Sequence, residues 1–158
     1  MSDELSLSAP TADAMRNLGE RIGQQLKAGD VLVLTGPLGA GKTTLTQGIA
    51  RGLGVTGSVT SPTFVISRIH NDAAGTAVLV HVDAYRLSDI RDLETLDLDD
   101  YLPTAAVVVE WGQRIFDITD PQYLVISIER DDDAGDPAAD DTGARTITMI
   151  AALASALA

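Results

Sequence analysis

The sequence predicts an α/β fold with a mixed, mostly parallel sheet flanked by helices. Two dense runs of valine and leucine without polar alternation, residues 30–36 and 105–112, are typical of parallel strands buried on both faces. Helical and extended patterns alternate at the start of the chain, and extended patterns dominate later. Because 158 residues suit one compact core, we expect a single domain over residues 1–158.

Two helices are expected around the first buried strand. Apolar residues at helical spacing mark the first helix: Met15, Leu18, Ile22 and Leu26. Its N-cap is Ser8 or Thr11, and Gly29 stops it. A second apolar stripe follows the strand: Leu45, Ile49 and Leu53. This helix is expected to end at Gly52 or Gly54.

The second half of the chain reads mainly as strands. Residues 63–70 and 76–85 form two extended runs joined by the hairpin-like turn NDAAG. Ser88 is a candidate cap for a short helix carrying three apolar residues: Ile90, Leu93 and Leu96. Residues 123–130 and 145–153 are expected to be later strands. Between them, residues 131–143 carry six aspartates and predict a solvated, flexible loop.

Composition narrows the classes of function. The net charge of −12 leaves few cations for phosphate backbones, so direct, tight binding of RNA or DNA by this chain alone is disfavoured. There is no cysteine, which excludes disulfides and thiolate metal sites and fits a reducing compartment. The N-terminus does not resemble a signal peptide, and the apolar tail of residues 149–158 is half a membrane span. A cytoplasmic protein without membrane attachment is expected.

The stretch GPLGAGKTTL, residues 36–45, matches the phosphate-loop pattern G-x-x-x-x-G-K-[ST] between a buried strand and a helix. Side chains at Gly36, Gly39 and Gly41 would block the approach of backbone N–H groups to phosphate oxygens. The N-terminus of the following helix directs further N–H groups at the same anion. This context favours a phosphate cradle over a glycine-rich turn that only caps a helix.

Three residues that follow Gly41 supply the remaining chemistry for a nucleoside triphosphate. Lys42 offers a mobile charge for the β- and γ-phosphates. Thr43 presents a hydroxyl oxygen for Mg²⁺, and Thr44 supports the α-phosphate through its N–H. The sequence therefore predicts binding of ATP or a related triphosphate together with Mg²⁺.

Two acids close predicted strands and are candidates for completing the site. Asp83 ends VLVHVD and Glu110 ends VVVE, and the carboxyl ends of parallel strands are where ligands bind in open α/β sheets. One acid would hold Mg²⁺, directly or through water, and the other would orient the attacking water. The alternative for each is an exposed acid at a strand end or a helix cap.

Other residues near these acids have two interpretations. Trp111 either lines the pocket or, as is more usual for a lone tryptophan, packs in the core. His81 shares the face of Asp83, and a packed, hydrogen-bonded histidine is favoured there over a catalytic base. Arg86 either reaches phosphate or forms a structural ion pair. Residues 60–64, TSPTF, form either a nucleotide-sensing segment or a simple turn.

Four blocks in this order, GPLGAGKTT, SPTF, HVDAYRL and VEWGQR, resemble the bacterial TsaE (YjeE) family. The resemblance extends from Leu18 to about Arg114. It implies a cytoplasmic P-loop NTPase-like fold that binds ATP and Mg²⁺ and hydrolyses ATP slowly by itself. It further implies a role in threonylcarbamoyl-adenosine modification of tRNA, in a complex with the proteins TsaD and TsaB that contacts the tRNA.

The resemblance also assigns roles to residues of this sequence. Residues 39–44 hold the phosphates, so that Ala40 joins the glycines, Lys42 and the two threonines. Thr43 and Glu110 are linked to the metal, and Asp83 is a second acidic site residue. The start of the first helix approaches the nucleotide base, which points to Thr11 and Ala12. Catalysis is thus assigned to Lys42, Asp83 and Glu110.

Three other functions were weighed. A small-molecule kinase usually closes an arginine-bearing lid over the phosphoryl group, whereas residues 131–143 have no arginine. A GTPase would carry an N-K-x-D stretch, which the sequence lacks. The third alternative is an interaction module whose nucleotide-bound state is read by partners without essential hydrolysis.

Overall fold

The computed structural model describes residues 4–37, 41–57, 59, 67–87, 89, 91–92, 96–117, 119–120, 122–130 and 145–150. Several predicted features lie outside them: Gly39 and Ala40 of the loop, Ser88, Ile90 and Leu93 of the short helix, and residues 60–64, 131–143 and 151–153. Neither helix in this part of the chain has the length and apolar character needed to cross a bilayer.

One mixed sheet organises the described residues. Its strands are β1 (Glu4–Ala9), β2 (Val31–Thr35), β3 (Ser67–Asn71), β4 (Ala77–Asp83), β5 (Ala106–Glu110), β6 (Leu124–Arg130) and β7 (Arg145–Ile150). They lie in the order β1-β7-β6-β2-β5-β4-β3. The central pairs β6–β2, β2–β5 and β5–β4 are parallel, and the three outer pairs are antiparallel. The mixed α/β sheet is confirmed, with its parallel pairs confined to the centre.

The strand predictions agree with the sheet except at the N-terminus. The hairpin between β3 and β4 forms as expected, and Asp72 accepts the backbone N–H groups of Ala74 and Thr76, each at 3.0 Å. Strand β1 was not predicted, because its six residues are extended through pairing with β7, which lies far away in sequence. Ser8 belongs to β1, so its assignment as a helix cap is wrong.

The two predicted helices are present, α1 (Ala12–Gln25) and α2 (Lys42–Gly52). The hydroxyl of Thr11 caps α1 by accepting the backbone N–H of Ala14 at 3.1 Å. Helix α1 ends before Gly29, and α2 ends at Gly52 as expected. Both helices cover one face of the sheet, where their apolar residues join those of β2, β4 and β5 in one core cluster.

Helices α1 and α2 touch through glycines spaced four residues apart on each of them: Gly19, Gly23, Gly48 and Gly52. A Cβ atom added at Gly48 would lie 2.1 Å from the carbonyl oxygen of Arg16, and one at Gly23 would lie 2.2 Å from that of Ile49. The backbones therefore pack against each other directly. This contact fixes where α2 begins relative to α1.

We expect Gly48→Ala to lower the free energy of unfolding by about 1–3 kcal/mol, the usual cost of overpacking. In an isolated helix the same change would stabilise the helix by about 1 kcal/mol. A loss of stability would therefore come from the clash of the new methyl group with the backbone of α1. Urea unfolding followed by circular dichroism measures it. Asn17→Ala, at an exposed position of α1, is the control, and equal stability of the two variants would contradict the interhelical contact.

Candidate functional site

Three parallel strands end side by side at one edge of the sheet. The strand register pairs Leu34 of β2 with Glu110 of β5, and Glu110 with Asp83 of β4. The backbone N–H of Ala84 donates to the carbonyl of Glu110 at 2.9 Å, which extends the ladder by one residue. The two predicted acids are therefore neighbours, and β2 leads into the glycine-rich loop beside them.

Gly41 forms the junction between the loop and α2. It has a φ of 104°, which side chains rarely adopt, and a Cβ atom there would lie 3.3 Å from Cε of Met15. Gly41 is also the N-cap and has no side chain to occupy the first N–H groups of α2. Those groups and the positive end of the helix dipole are available to an anion.

Lys42 is held inside the loop instead of extending into solvent. Its Nζ donates to the carbonyl oxygens of Gly36 and Pro37, both at 2.8 Å, and lies 4.2 Å from the centroid of the Trp111 ring. Lys42 is 5 % exposed. Burial lowers the pKa of its ammonium, while the negative charges of Glu110 and Asp83 act in the opposite direction. The positive charge of Lys42 is thus held close to where phosphates would bind.

Trp111 combines the two roles that the sequence left open. Its ring is partly buried against the core cluster on the second face of the sheet and also covers Lys42. The backbone at Trp111 has a φ of 63°, uncommon for a bulky residue, and its N–H donates to the carbonyl of Leu34 at 3.2 Å. The ring of Tyr85 meets it edge-on with centroids 5.2 Å apart. The left-handed turn brings the indole over the lysine.

The two acids have different surroundings. Glu110 is 4 % exposed and accepts a hydrogen bond from Nε2 of His81, which is fully buried. Asp83 is half-buried and accepts the backbone N–H of Tyr85 at 2.9 Å. His81 is therefore a packed, hydrogen-bonded histidine, and its partner is one of the predicted site acids. Arg86 is exposed.

The remaining predicted residues surround this cluster. Thr43 and Thr44 lie in the first turn of α2 and are half-buried. Thr11 is exposed, and its hydroxyl is engaged as the N-cap of α1. Met15, one turn further along α1, is the side chain that faces Gly41. The beginning of α1 is therefore close to the end of the glycine-rich loop.

The oxygen donors present suit Mg²⁺ rather than a soft metal. Thr43 offers a hydroxyl, and Asp83 and Glu110 offer carboxylates, the hard ligands that Mg²⁺ prefers. Among the described residues no group of three or more His, Cys, Asp or Glu side chains forms a metal cage.

Sequence reasoning missed how the site is held together without a ligand. The carbonyls of Gly36 and Pro37 act as acceptors for Lys42, and Met15 packs at Gly41. No residue type signals a backbone acceptor, so nothing in the sequence pointed to the first two. The pairing of His81 with Glu110 was visible only as a shared strand face, since their meeting depends on the register of β4 and β5.

Comparison with known proteins gives one consistent result. The family described as "Threonylcarbamoyl adenosine biosynthesis protein TsaE" matches residues 9–138. Proteins named tRNA threonylcarbamoyladenosine biosynthesis protein TsaE are 48 % identical in Mycobacterium tuberculosis, over 77 % of this chain and 76 % of the relative. The protein of the same name in Streptomyces coelicolor is 52 % identical, over 73 % of this chain and 79 % of the relative.

A solved structure agrees with the sequence relatives. The crystal structure of Bacillus subtilis YdiB superposes with a TM-score of 0.71 at 32 % identity. The alignment covers 99 % of this chain and 95 % of that one. The fold described above is therefore shared along nearly the whole length of both chains.

The contact between Lys42 and the ring of Trp111 can be tested without any ligand. Lys42→Met removes the charge and keeps a linear side chain, so we expect the emission of Trp111, the only tryptophan, to change in intensity and maximum. Lys27 is the other lysine of the chain and is exposed. Lys27→Met is therefore the matched control and should keep the wild-type spectrum. Identical spectra for all three proteins would contradict the contact between Lys42 and the indole.

Proposed function

Since the chain belongs to the TsaE family, we propose that it binds and hydrolyses ATP with Mg²⁺ and is required for threonylcarbamoyl-adenosine modification of tRNA. The observation that carries the proposal is the convergence of Lys42, Glu110 and Asp83 where β2, β5 and β4 end. A cation and two carboxylates at the N-terminus of a helix form the arrangement that a triphosphate and its metal need.

The phosphates of ATP would be bound by backbone groups and by Lys42. The loop of residues 36–41 and the first turn of α2 supply N–H donors, including those of Thr43 and Thr44. Lys42 would exchange its bonds to the carbonyls of Gly36 and Pro37 for bonds to phosphate oxygens. Because its charge is already buried, little further desolvation is needed at the moment of binding.

The carboxylates divide the remaining work. Thr43 and one of the two acids, Asp83 or Glu110, would hold Mg²⁺, directly or through water, and the ion would supply charge neutralisation on the phosphates. The carboxylate that is not engaged with the metal would accept a hydrogen bond from the attacking water and orient it in line. Both acids lie at the same sheet edge, which allows this division of roles.

The rival functions receive less support. A kinase would need an arginine over the transferred phosphoryl group, and the sequence of residues 131–143 has none. The sequence also lacks the guanine-reading N-K-x-D stretch. A nucleotide-gated module without essential hydrolysis remains the second candidate, because the same residues could bind a nucleotide and partners could read the bound state as the signal.

We further propose that the protein works in the cytoplasm in a complex with TsaD and TsaB. The names of its relatives specify tRNA threonylcarbamoyladenosine biosynthesis, whereas this chain has 23 acidic and 11 basic residues. Such a charge balance opposes direct binding of a polyanion. The tRNA would therefore be contacted by the partner proteins.

Substitutions at Lys42 and Glu110 separate binding from turnover. Lys42→Ala should remove productive ATP binding, weakening affinity about a hundredfold through loss of charge-assisted hydrogen bonds. Glu110→Ala should leave ATP binding detectable and remove turnover. Calorimetric titration and phosphate release measure the two properties, and Lys27→Ala is the control. Equal turnover in Glu110→Ala and wild type would refute the role of Glu110.

The partner-dependent part has its own test. Purified protein with ATP and Mg²⁺ should turn over slowly alone and faster when TsaB and TsaD are added. Modification of tRNA in the reconstituted mixture should require wild-type protein. If Glu110→Ala supports modification as well as wild type does, hydrolysis is dispensable and the nucleotide-gated module is the correct function. If the partners neither bind nor alter turnover, the proposed complex is wrong.

A further inference from the structure

The hydrogen bond between His81 and Glu110 is a buried polar contact between side chains of two neighbouring strands at the site. His81 is fully buried and Glu110 is 4 % exposed. In the parallel register His81 lies opposite Val108, two residues before Glu110 on β5, so both side chains share one face. A carboxylate can only accept, so Nε2 of His81 carries the donated hydrogen to Oε2 of Glu110.

Packing alone does not explain a histidine at this position. Its Nδ1 is buried and has no hydrogen-bond partner among the residues that the structure describes. An unpaired buried polar atom destabilises a fold, and the apolar residue two positions earlier, Leu79, shows what the same face of β4 accepts. The bond to Glu110 is therefore the polar contact that the structure shows for the buried imidazole.

The charged surroundings show what that bond is for. Around His81 lie Asp83 on the same strand, Arg68 and His70 on β3 and Glu110 on β5. Lys42 also attracts Glu110, but its ammonium is shared with the carbonyls of Gly36 and Pro37. Once Lys42 turns to a phosphate, its attraction for Glu110 is divided further. The bond from His81 comes from the rigid sheet and does not depend on where Lys42 points.

We propose that His81 is a positioning residue that holds Glu110 by Oε2 and leaves Oε1 directed toward the metal and phosphates of the bound nucleotide. This inference rests on the proposed nucleotide-binding function and assigns a residue to that site. A carboxylate fixed by one oxygen has lost most of its rotational freedom before the ligand arrives. The carboxylate of Glu110 is therefore aimed before ATP binds.

Two substitutions at His81 separate hydrogen bonding from packing. His81→Gln places an amide N–H near the position of Nε2, whereas His81→Leu fills the space and removes the donor. We expect His81→Leu to raise the Mg²⁺ concentration for half-maximal ATP binding by about 10- to 100-fold and to lower turnover similarly. Its affinity for ATP without Mg²⁺ should stay within about twofold of wild type, and His81→Gln should recover most of the loss.

The other histidine of the chain, His70, offers a matched control. His70 lies on β3 opposite Leu79, on the same face of the sheet as His81 but further from the carboxyl edge. His70→Leu makes the same chemical change and should leave the Mg²⁺ dependence as in wild type. If His81→Leu has the Mg²⁺ dependence of wild type, or if His81→Gln is as impaired as His81→Leu, the positioning role is wrong.

A ligand-free experiment tests the same contact independently. Urea unfolding of wild type, His81→Leu, Glu110→Ala and the double variant forms a cycle in which the two changes in the free energy of unfolding should be non-additive, because each substitution removes the one shared hydrogen bond. Additive losses would contradict the pairing. If instead wild type shows no Mg²⁺-dependent ATP binding while the cycle is non-additive, the proposed function fails and the pairing of His81 with Glu110 stands.

Discussion

The parallel register of β2, β5 and β4 is the constraint on which the site depends. Hydrogen bonding between these strands sets Leu34, Glu110 and Asp83 level with one another at the carboxyl edge. A shift of one residue in β5 or in β4 would turn Glu110 or Asp83, respectively, to the opposite face of the sheet. The backbone ladder, rather than any side-chain contact, therefore decides that the two acids and the glycine-rich loop meet.

Charge balance inside the site follows from that arrangement. A buried ammonium and a buried carboxylate are each costly alone, and here both have partners. Lys42 is held by two carbonyls and the face of Trp111, and Glu110 is held by His81. The site thus carries its charges in fixed positions without a ligand. That is the physical meaning of preorganisation, and it reduces the rearrangement needed when an anion binds.

The helix pair contributes at a second level. Glycines on α1 and α2 let the two backbones touch, and this close contact sets the position of Gly41 and the first turn of α2 against Met15. The N–H groups of that first turn are therefore positioned by packing some distance from the site. Helix–helix contact and strand register together define the cradle from opposite sides, the first through α2 and the second through β2.

The sequence by itself determined the α/β class, both helices, the central strands and the identities of Lys42, Asp83 and Glu110 as chemically suited residues, because apolar periodicity and the phosphate-loop spacing are local signals. Only the tertiary structure decided the pairing of β1 with β7, the burial of Lys42 under Trp111 and the bond between His81 and Glu110. Each of these depends on contacts between residues far apart in the chain. Such contacts are set by strand order, register and helix packing, which no local pattern of residues encodes.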